Sequence, residues 1–405
     1  MRIYSALGLA ACLACLALQS GIAEPPAGDS PKAAPTVASI SGPFSHANLS
    51  IFLLHGPDIL DGRRFITLNE ALEQKAIVVH ETSNVNLLAV ENTSDRYDIF
   101  LQSGDIIKGG RQDRLISIDL IVPPKSGRIP ITSFCVESGR WHQRGQESAA
   151  HFSMNTAQAG RDIKLAANSG GLGMAGGMGG GRAGVGGQSE VWSKVADAQR
   201  KLGRSLDKTV TSKDSPTSYQ LTLEDKAVLE KLAAFEKVLA GVLKDQPDVI
   251  GIAYAVNGRV EGAEVFGCSS LCSKQWNKLL KSCAVDALAE SNDKKNFEPT
   301  TAAKVEAFLK DSTGPLKELP IVSEDPSGPT QQVRNAVQDQ QAARPQPGKA
   351  ATQPPSVRIF QCDKKDSLLI ESRERQSDIV LHRSYLRKDA PAPADKATPS
   401  QQRDR

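Results

Sequence analysis

Residues 249–266 read VIGIAYAVNGRVEGAEVF, and this stretch predicts a β-hairpin. Val249 to Val256 has the composition of a strand, and Arg259 to Phe266 returns beside it. Between them, Asn257-Gly258 favours a two-residue turn, because both turn positions need a positive φ. One face of the hairpin carries small residues, namely Gly251, Ala253, Ala255 and Gly262. Small side chains permit close approach, so we expect the helix predicted over Leu271–Ala289 to pack there.

The sequence before the hairpin is rich in strand signals. Apolar runs bounded by turn residues predict strands at 51–54, 77–80, 85–90, 97–101, 115–122 and 128–136. The clearest is 115–122, where apolar residues occupy every second position. Thr67-Leu68-Asn69-Glu70 has the form of a capping box and predicts a short helix through about Lys75. We therefore expect the N-terminal half to be mostly β.

Helices dominate the part of the chain that leads into the hairpin. Apolar residues at helical spacing follow Gln188, and Thr222-Leu223-Glu224-Asp225 predicts the cap of a long helix that Pro247 ends. Strand patterns return at 357–360, 368–371 and 379–385. The order of elements predicts an α+β fold with a β-rich N-terminal half, then helices and the hairpin with its backing helix. The C-terminal strands are expected to rejoin the same body.

Composition separates ordered from loose segments. The α+β domain is expected over 48–310, with C-terminal strands of the same domain over 357–388. A glycine-rich loop is expected at 168–187, where a G-x-G-x-x-G spacing occurs without the preceding strand that a dinucleotide site needs. Segments rich in Pro, Ala, Gln or Ser are expected to be unstructured, namely the leader 24–47, the insertion 324–356 and the tail 389–405.

The first 23 residues predict export. Arg2 supplies a positive charge, Tyr4 to Leu18 is apolar, and Gly21-Ile22-Ala23 places small residues at a cleavage position. Cleavage near Ala23 would release a periplasmic or secreted protein. A lipoprotein anchored at Cys12 is the less favoured alternative, because the apolar stretch before that cysteine is short. No later apolar run has spanning length, so we expect no membrane span.

Charge and motif content exclude several function classes. The 405 residues contain 49 Lys and Arg against 46 Asp and Glu, which gives a net charge of +3. A nearly balanced chain without a basic stripe is not expected to bind nucleic acid. The 6 histidines are spread along the chain and indicate no metal site. No standard cofactor or nucleophile motif occurs, so we predict neither a metal nor a cofactor.

Export bears on the cysteines, because the receiving compartments are oxidising. Of the 7 cysteines, Cys12 and Cys15 lie in the signal, which leaves Cys135, Cys268, Cys272, Cys283 and Cys362. Cys268 and Cys272 stand one helical turn apart, about 6 Å by helix geometry, which is within reach of a disulfide. We predict a Cys268–Cys272 bridge, with Cys283 as a small core residue.

The most informative polar cluster lies between Gly104 and Trp141. Polar residues precede the strand at 115–122 and follow the next strand, and strand ends are common positions for sites. Arginine binds carboxylate or phosphate bidentately, and a tryptophan offers a flat face to a ring. The candidate ligand-binding residues are Arg111, Gln112, Arg114, Arg140 and Trp141, and the candidate catalytic residues are Asp113 and Glu137. The alternative is an internal brace of ion pairs around a core tryptophan.

Several blocks of this sequence resemble the ARG and Rhodanese-Phosphatase-superfamily-associated Protein domain family. They are Val85-Asn86, Val90, Asn92, Gly104, Gly109 to Arg114, Val122-Pro123, Ile129 to Ile131, Cys135 to Trp141, Gln188, Val191-Trp192, Ala255 to Val260 and Lys278 to Leu288. The blocks occur in order from about Asn48 to Ala289. The resemblance implies no established activity. The family's name implies an association with ADP-ribose or nucleotide chemistry.

Three functions are compatible with these observations. The first is a non-catalytic exported protein that binds a small anionic ligand or a protein partner. The second is a hydrolase-like enzyme acting on a nucleotide or sugar-phosphate ligand, in which Asp113 or Glu137 is the general base and the arginines hold the anion. The third is a scaffold that recruits partners through residues 324–356.

Overall fold

A computed structural model describes residues 31–60, 62–82, 86–110, 112–139, 152–169, 183–291, 297–319, 321 and 356–389. Strands and helices are numbered along the chain. The helices are α1 (Leu68–Glu73), α2 (Arg161–Ser169), α3 (Ala183–Ser205), α4 (Tyr219–Leu223), α5 (Lys226–Leu239), α6 (Ser269–Ala289) and α7 (Ala302–Ser312), with a 3₁₀ turn at Ala240–Leu243. The fold is α+β, as predicted. No helix among the described residues is long and apolar enough to cross a membrane.

One eight-stranded sheet forms the body of the protein. Its spatial order is β1 (Ser39–His46), β2 (Leu49–His55), β12 (Val249–Val256), β13 (Arg259–Phe266), β17 (Val380–Arg387), β16 (Ser367–Glu374), β15 (Val357–Asp363) and β14 (Lys317–Leu319), all antiparallel. The C-terminal strands thus complete the sheet that the hairpin begins. β1 lies within the segment predicted as a flexible leader, so the ordered chain begins earlier than expected.

Two smaller sheets contain the rest of the strands that the structure describes. The six-stranded sheet has the order β11 (Phe152–Met154), β7 (Ile106–Gly109), β8 (Arg114–Ile116), β10 (Ile129–Cys135), β5 (Leu87–Asn92) and β4 (Ile77–Glu81). The three-stranded sheet has the order β3 (Phe65–Thr67), β6 (Asp98–Leu101) and β9 (Leu120–Val122), with β3 parallel to β6. The continuous strand predicted over 115–122 is therefore wrong, because β8 and β9 belong to different sheets.

The hairpin is confirmed, with its turn at Asn257 (φ 50°) and Gly258 (φ 76°). All eight residues of β12 are buried because both faces of the large sheet are covered. Ile252 and Tyr254 belong to the larger core, together with the buried side of α6. The small residues Ala253 and Ala255 instead belong to a second core with α7. The expectation that α6 packs on the small face is therefore wrong.

Capping explains where two helices begin. Thr67 and Glu70 form the predicted capping box at α1: the Glu70 amide donates to Thr67 Oγ1 at 3.2 Å, and the Thr67 amide donates to Glu70 Oε2 at 2.7 Å. The second cap differs from its prediction. Asp225 alone caps α5, accepting from the amides of Ala227 and Val228, while Thr222 lies inside the separate helix α4.

Candidate functional site: a charged cleft beside the hairpin

The described members of the predicted arginine and carboxylate cluster lie close together. β8 pairs with β10 so that Arg114 stands opposite Cys135. The Val136 amide donates to the Asp113 carbonyl at 3.2 Å, which brings Glu137 beside the same loop. Arg111, Arg140 and Trp141 lie outside the described residues.

Protein groups bind several polar atoms of this cluster, but Gln112 Nε2 and Arg114 Nε are buried without a hydrogen bond to any described residue. The Gly109 amide donates to Asp113 Oδ1 at 3.2 Å, and the Ser215 hydroxyl donates to Glu137. Arg114 donates to Gln112 Oε1 at 3.1 Å. Gln112, Asp113 and Glu137 have no exposed surface, and Arg114 is 2% exposed. In the part of the cluster that the structure describes, these contacts join β8, β10 and the segment before α4. The catalytic roles of Asp113 and Glu137 remain predictions.

The predicted Cys268–Cys272 disulfide is wrong. All five cysteines in the described part of the chain are free and buried. Cys268 is the N-cap of α6, with an extended backbone at φ −155° and ψ 151°, so its side chain does not follow the helical face that carries Cys272. Burial raises the pKa of both thiols, which disfavours the thiolate that disulfide exchange needs.

A cleft of about 490 Å³ lies where α2, α3 and α6 meet the turn of the hairpin. We call it the charged cleft. Its charged lining residues are Arg161, Asp162, Lys194, Lys201, Arg259, Glu261, Asp286, Glu290 and Asp389. Ile163, Ala198, Val256, Val285 and Ala289 form apolar parts of its wall. Among the described residues, no Cys, His or Ser lines this cleft.

Asp286 belongs to α6 and meets the first turn of α2. The Arg161 amide donates to Asp286 Oδ2 at 3.1 Å, and the Tyr254 hydroxyl donates to the same oxygen at 2.9 Å. A helix N-terminus has unpaired amides and a positive dipole end, so a carboxylate is favourable there. Gly160 is required for this approach, because a Cβ at that position would collide with Asp286 Oδ1.

The environment of Asp286 gives it a pKa near neutrality. Burial raises the pKa of Asp286 to about 6, because it outweighs the positive charge of Arg161 and the hydrogen bonds that favour the carboxylate. The neighbouring Tyr219 is fully buried, and burial together with the Asp286 charge raises its pKa. The Tyr219 hydroxyl makes no hydrogen bond of normal geometry within the described part of the chain. The base of the cleft therefore offers a carboxyl of raised pKa beside a buried tyrosine hydroxyl.

Ion pairs fix most charges around the rim. Arg161 pairs with Glu261, with Asp162 at 2.7 Å and with Asp389 at 3.0 Å. The remaining rim pairs are Arg259 with Glu261 at 2.7 Å, Arg259 with Asp389 at 3.0 Å, Lys201 with Glu290 at 2.6 Å and Lys201 with Asp162 at 3.4 Å. Lys194 makes no ion pair with a described residue. It is therefore a lining cation that remains available to an anion.

A buried ion network lies behind the cleft and holds α2 in place. His382 Nδ1 is 2.8 Å from Asp119 Oδ2, and His382 Nε2 is 2.9 Å from Glu264 Oε2. Glu264 also pairs with Lys164 of α2 at 2.9 Å. Asp119 also accepts a hydrogen bond from the Ser103 amide at 2.8 Å. Because Asp119 lies between β8 and β9 and contacts His382 of β17, it links all three sheets. Among the described residues, no group of three His, Cys, Asp or Glu side chains is arranged to hold a metal.

Asp119 also explains why the predicted strand at 115–122 divides. Its two oxygens are committed to the Ser103 amide, to the Ser372 hydroxyl at 2.6 Å and to His382. A residue so placed points into the junction between the sheets and not into a regular alternating face. β8 therefore ends at Ile116 and β9 begins at Leu120.

Sequence reasoning missed the charged cleft because its residues come from separate segments without a fixed spacing. Among its charged residues, only Arg259 and Asp286 carried a signal. Arg259 lies in the Asn-Gly-Arg block and Asp286 in the 278–288 block that resemble the family. The fold brings these two blocks to the same cleft.

Fold and cleft together define an α+β protein with a ligand-sized cleft of mixed charge beside a buried ion network. The chain belongs to the ARG and Rhodanese-Phosphatase-superfamily-associated Protein domain family, ARPP-1, whose sequence profile matches residues 38–344. No curated protein and no solved structure matches the chain.

Proposed function

We propose that this protein is a non-catalytic, exported binding protein whose charged cleft takes a small anionic ligand that also carries hydroxyl groups. The observation that carries the proposal is the combination of Lys194, without an ion pair among the described residues, and Asp286 in one cleft of about 490 Å³. Clefts of roughly 300–1,000 Å³ with an apolar wall and a few convergent polar groups are typical of small-ligand sites.

Each part of the lining fits one part of such a ligand. The anionic group would pair with Lys194. Hydroxyl groups would donate to the Asp286 carboxylate and exchange hydrogen bonds with Tyr219. The apolar wall, which includes Val256 and Val285, would pack against the body of the ligand. Sugar phosphates and nucleotides have this combination of groups.

Binding would be tested by thermal unfolding with ADP-ribose, nucleotides and sugar phosphates. A ligand at about 100 times its Kd adds roughly 2.7 kcal/mol to the free energy of unfolding. We expect that gain to fall strongly in Lys194→Gln and in Asp286→Asn. Lys226→Gln is the matched control, because Lys226 is 89% exposed and lies on α5, away from the cleft. Arg140→Ala tests the cluster predicted between Gly104 and Trp141.

Two outcomes would contradict the proposal. The first is that no ligand stabilises the wild-type protein. The second is stabilisation that persists in Lys194→Gln and Asp286→Asn. Stabilisation lost only in Arg140→Ala would move the site to the predicted arginine cluster.

A hydrolase acting on the same ligand class is the second candidate, and the pKa of Asp286 favours it. A carboxyl with a pKa of about 6 can serve as a general base near neutral pH. The rate at which the protein hydrolyses sugar phosphates or ADP-ribose would then depend on Asp286. Turnover that survives Asp286→Asn but not Asp113→Asn or Glu137→Gln would place the general base in the predicted cluster. The absence of any turnover would support the non-catalytic function.

Export is a separate part of the proposal. It is supported by the charge, apolar core and small residues that precede Glu24 in the sequence. Intact-mass measurement of protein from the periplasm or medium should give a chain that begins near Glu24. A cytoplasmic chain that keeps Met1 or Arg2 would contradict it.

A further inference from the structure

A second cleft, of about 690 Å³, lies on the other side of the hairpin turn. We call it the basic cleft. It is bordered by α7, by the turn between β15 and β16 and by the end of β17. Its charged lining residues are Arg259, Lys304, Lys364, Lys365, Arg387, Asp311 and Asp366. Five cations against two carboxylates make this lining strongly positive.

Two of the five cations are already committed to protein groups. Lys364 Nζ donates to the carbonyls of Asp311 at 2.5 Å and Thr313 at 2.6 Å, at the C-terminal end of α7. Arg259 is held by Glu261 and Asp389 at the charged cleft. The other three, Lys304, Lys365 and Arg387, make no ion pair with any carboxylate that the structure describes.

Arg387 is held in a fixed position without being neutralised. Its Nε donates to the Val260 carbonyl, and its guanidinium lies 4.6 Å from the centre of the Phe308 ring. Burial, together with the positive charges of Arg259 and Arg161, lowers its pKa despite nearby Glu261. A bound anion would relieve this unfavourable environment.

Ser312 gives a second, independent indication of a ligand. It is the last residue of α7, its side chain is fully buried, and it lines the basic cleft. Its hydroxyl has no hydrogen-bond partner among the described residues. Buried hydroxyl groups are normally satisfied, so an unused one at a positive cleft is a donor suited to an oxyanion.

We infer that the basic cleft binds a small oxyanion of the phosphate class, with Arg387, Lys365 and Lys304 supplying charge and Ser312 donating a hydrogen bond. The cleft is larger than a free phosphate ion, so a phosphate monoester fits the space as well. Lys365, Asp366 and Arg387 lie beyond the family match at 38–344, so the matched region alone does not build this cleft. The inference does not depend on the proposed function of the charged cleft.

The test is calorimetric titration of the purified protein at fixed ionic strength. One arm uses inorganic phosphate and the other uses glycerol phosphate, which distinguishes the free ion from a monoester. Lys365→Gln, Arg387→Gln and Ser312→Ala are compared with wild type. We expect each to weaken binding by about tenfold or less, and the Lys365 and Arg387 changes together to weaken it further.

Two control variants distinguish binding at the basic cleft from binding at the charged cleft or at exposed lysines in general. Lys226→Gln removes an exposed lysine elsewhere and should leave the affinity unchanged. Lys194→Gln removes the cation of the charged cleft, so the affinity that this variant keeps for inorganic phosphate, which lacks the hydroxyl-bearing body proposed for the charged-cleft ligand, reports on the basic cleft. Lys365 is exposed and makes no ion pair with a described residue, so its variant is expected to fold even if Arg387→Gln does not.

Three results would overturn the inference. Wild-type protein that binds neither probe at tens of millimolar has no such site. Affinity that is unchanged in both Lys365→Gln and Ser312→Ala places binding elsewhere. Affinity that falls in Lys194→Gln but not in Lys365→Gln assigns the anion to the charged cleft.

Discussion

Raising the pH from 6 to 8 should weaken this protein through His382. Both ring nitrogens of His382 lie within 3 Å of a carboxylate oxygen, one on Asp119 and one on Glu264. The negative charges of two carboxylates beside the ring favour the positively charged imidazolium in the folded protein. Burial alone would lower the pKa of His382, but the two carboxylates overcome it and raise the pKa to about 9.

The sign and size of the effect follow from the two pKa values. The unfolded chain has a histidine pKa of about 6.5. The stabilisation is therefore complete below pH 6.5 and is lost as the pH rises through about 9. The whole shift corresponds to about 3 kcal/mol, and the part lost between pH 6 and 8 is about 2 kcal/mol. His382 is 1% exposed, so solvent screening does not reduce this value greatly.

Guanidinium unfolding at pH 6, 7 and 8 and constant ionic strength would measure this loss. His382→Gln should remove most of the pH dependence. His80→Gln is the control, because burial and the charge of Arg128 lower the pKa of His80. The free energy of unfolding of His80→Gln should therefore still fall between pH 6 and 8. If His382→Gln does not fold, NMR titration of the wild-type imidazole should still show a protonated ring at pH 8. A free energy of unfolding that is flat from pH 6 to 8, with a ring that titrates near 6.5, would refute the reasoning.

Three further outcomes are expected. Asp286→Asn should stabilise the protein at pH 7 by up to about 3 kcal/mol, since the stability due to protonated Asp286 is present below pH 3.8 and lost as the pH rises through about 6. Chemical unfolding at pH 5 and pH 7 checks this, and an equal gain at both values would contradict it. Gly258→Ala should destabilise the protein by more than about 1 kcal/mol, because φ is +76° and a Cβ would collide with the Glu298 carbonyl. A thermal unfolding midpoint equal to wild type would count against that packing. Denatured, unreduced wild-type protein should expose two more thiols to a thiol reagent than the Cys268→Ser/Cys272→Ser variant does. Equal thiol counts would show that Cys268 and Cys272 do form a disulfide.

Short-range signals in the sequence were sufficient wherever neighbouring residues determine the structure. The Asn257-Gly258 turn needs only two residues that tolerate a positive φ. The capping box needs only Thr67 and Glu70, three residues apart. Both features are therefore readable before any tertiary contact is known.

Predictions failed where distant residues decide the outcome. The alternation over 115–122 resembles one strand, but Asp119 bonds to Ser103, Ser372 and His382, which lie far away in the sequence. The sequence predicts that the helix following the hairpin packs on its small face, whereas α7 covers that face. Nothing local to the hairpin distinguishes the two helices.

The candidate site was predictable only in part. The cluster around Asp113 and Glu137 does come together, because β10 follows β8 after one short intervening strand and pairs with it in the sheet. The charged cleft combines α2, α3, the hairpin and α6, and its ion pairs join residues such as Arg161 and Glu261 that are remote in sequence. Only the completed fold brings these residues together. A sequence motif of fixed spacing cannot predict such ion pairs.

The position of β17 has a consequence for how the chain is made. β17 lies between β13 and β16 in the large sheet, although it is the last described strand in the sequence. During synthesis, the ribosome must release Val380–Arg387 before β13 can gain its second neighbour. The nascent chain therefore cannot complete its sheet early, and its many distant pairings make folding slow. A large sheet that is still incomplete when most of the chain has been made is compatible with the proposed export, because a secretory channel passes unfolded chains.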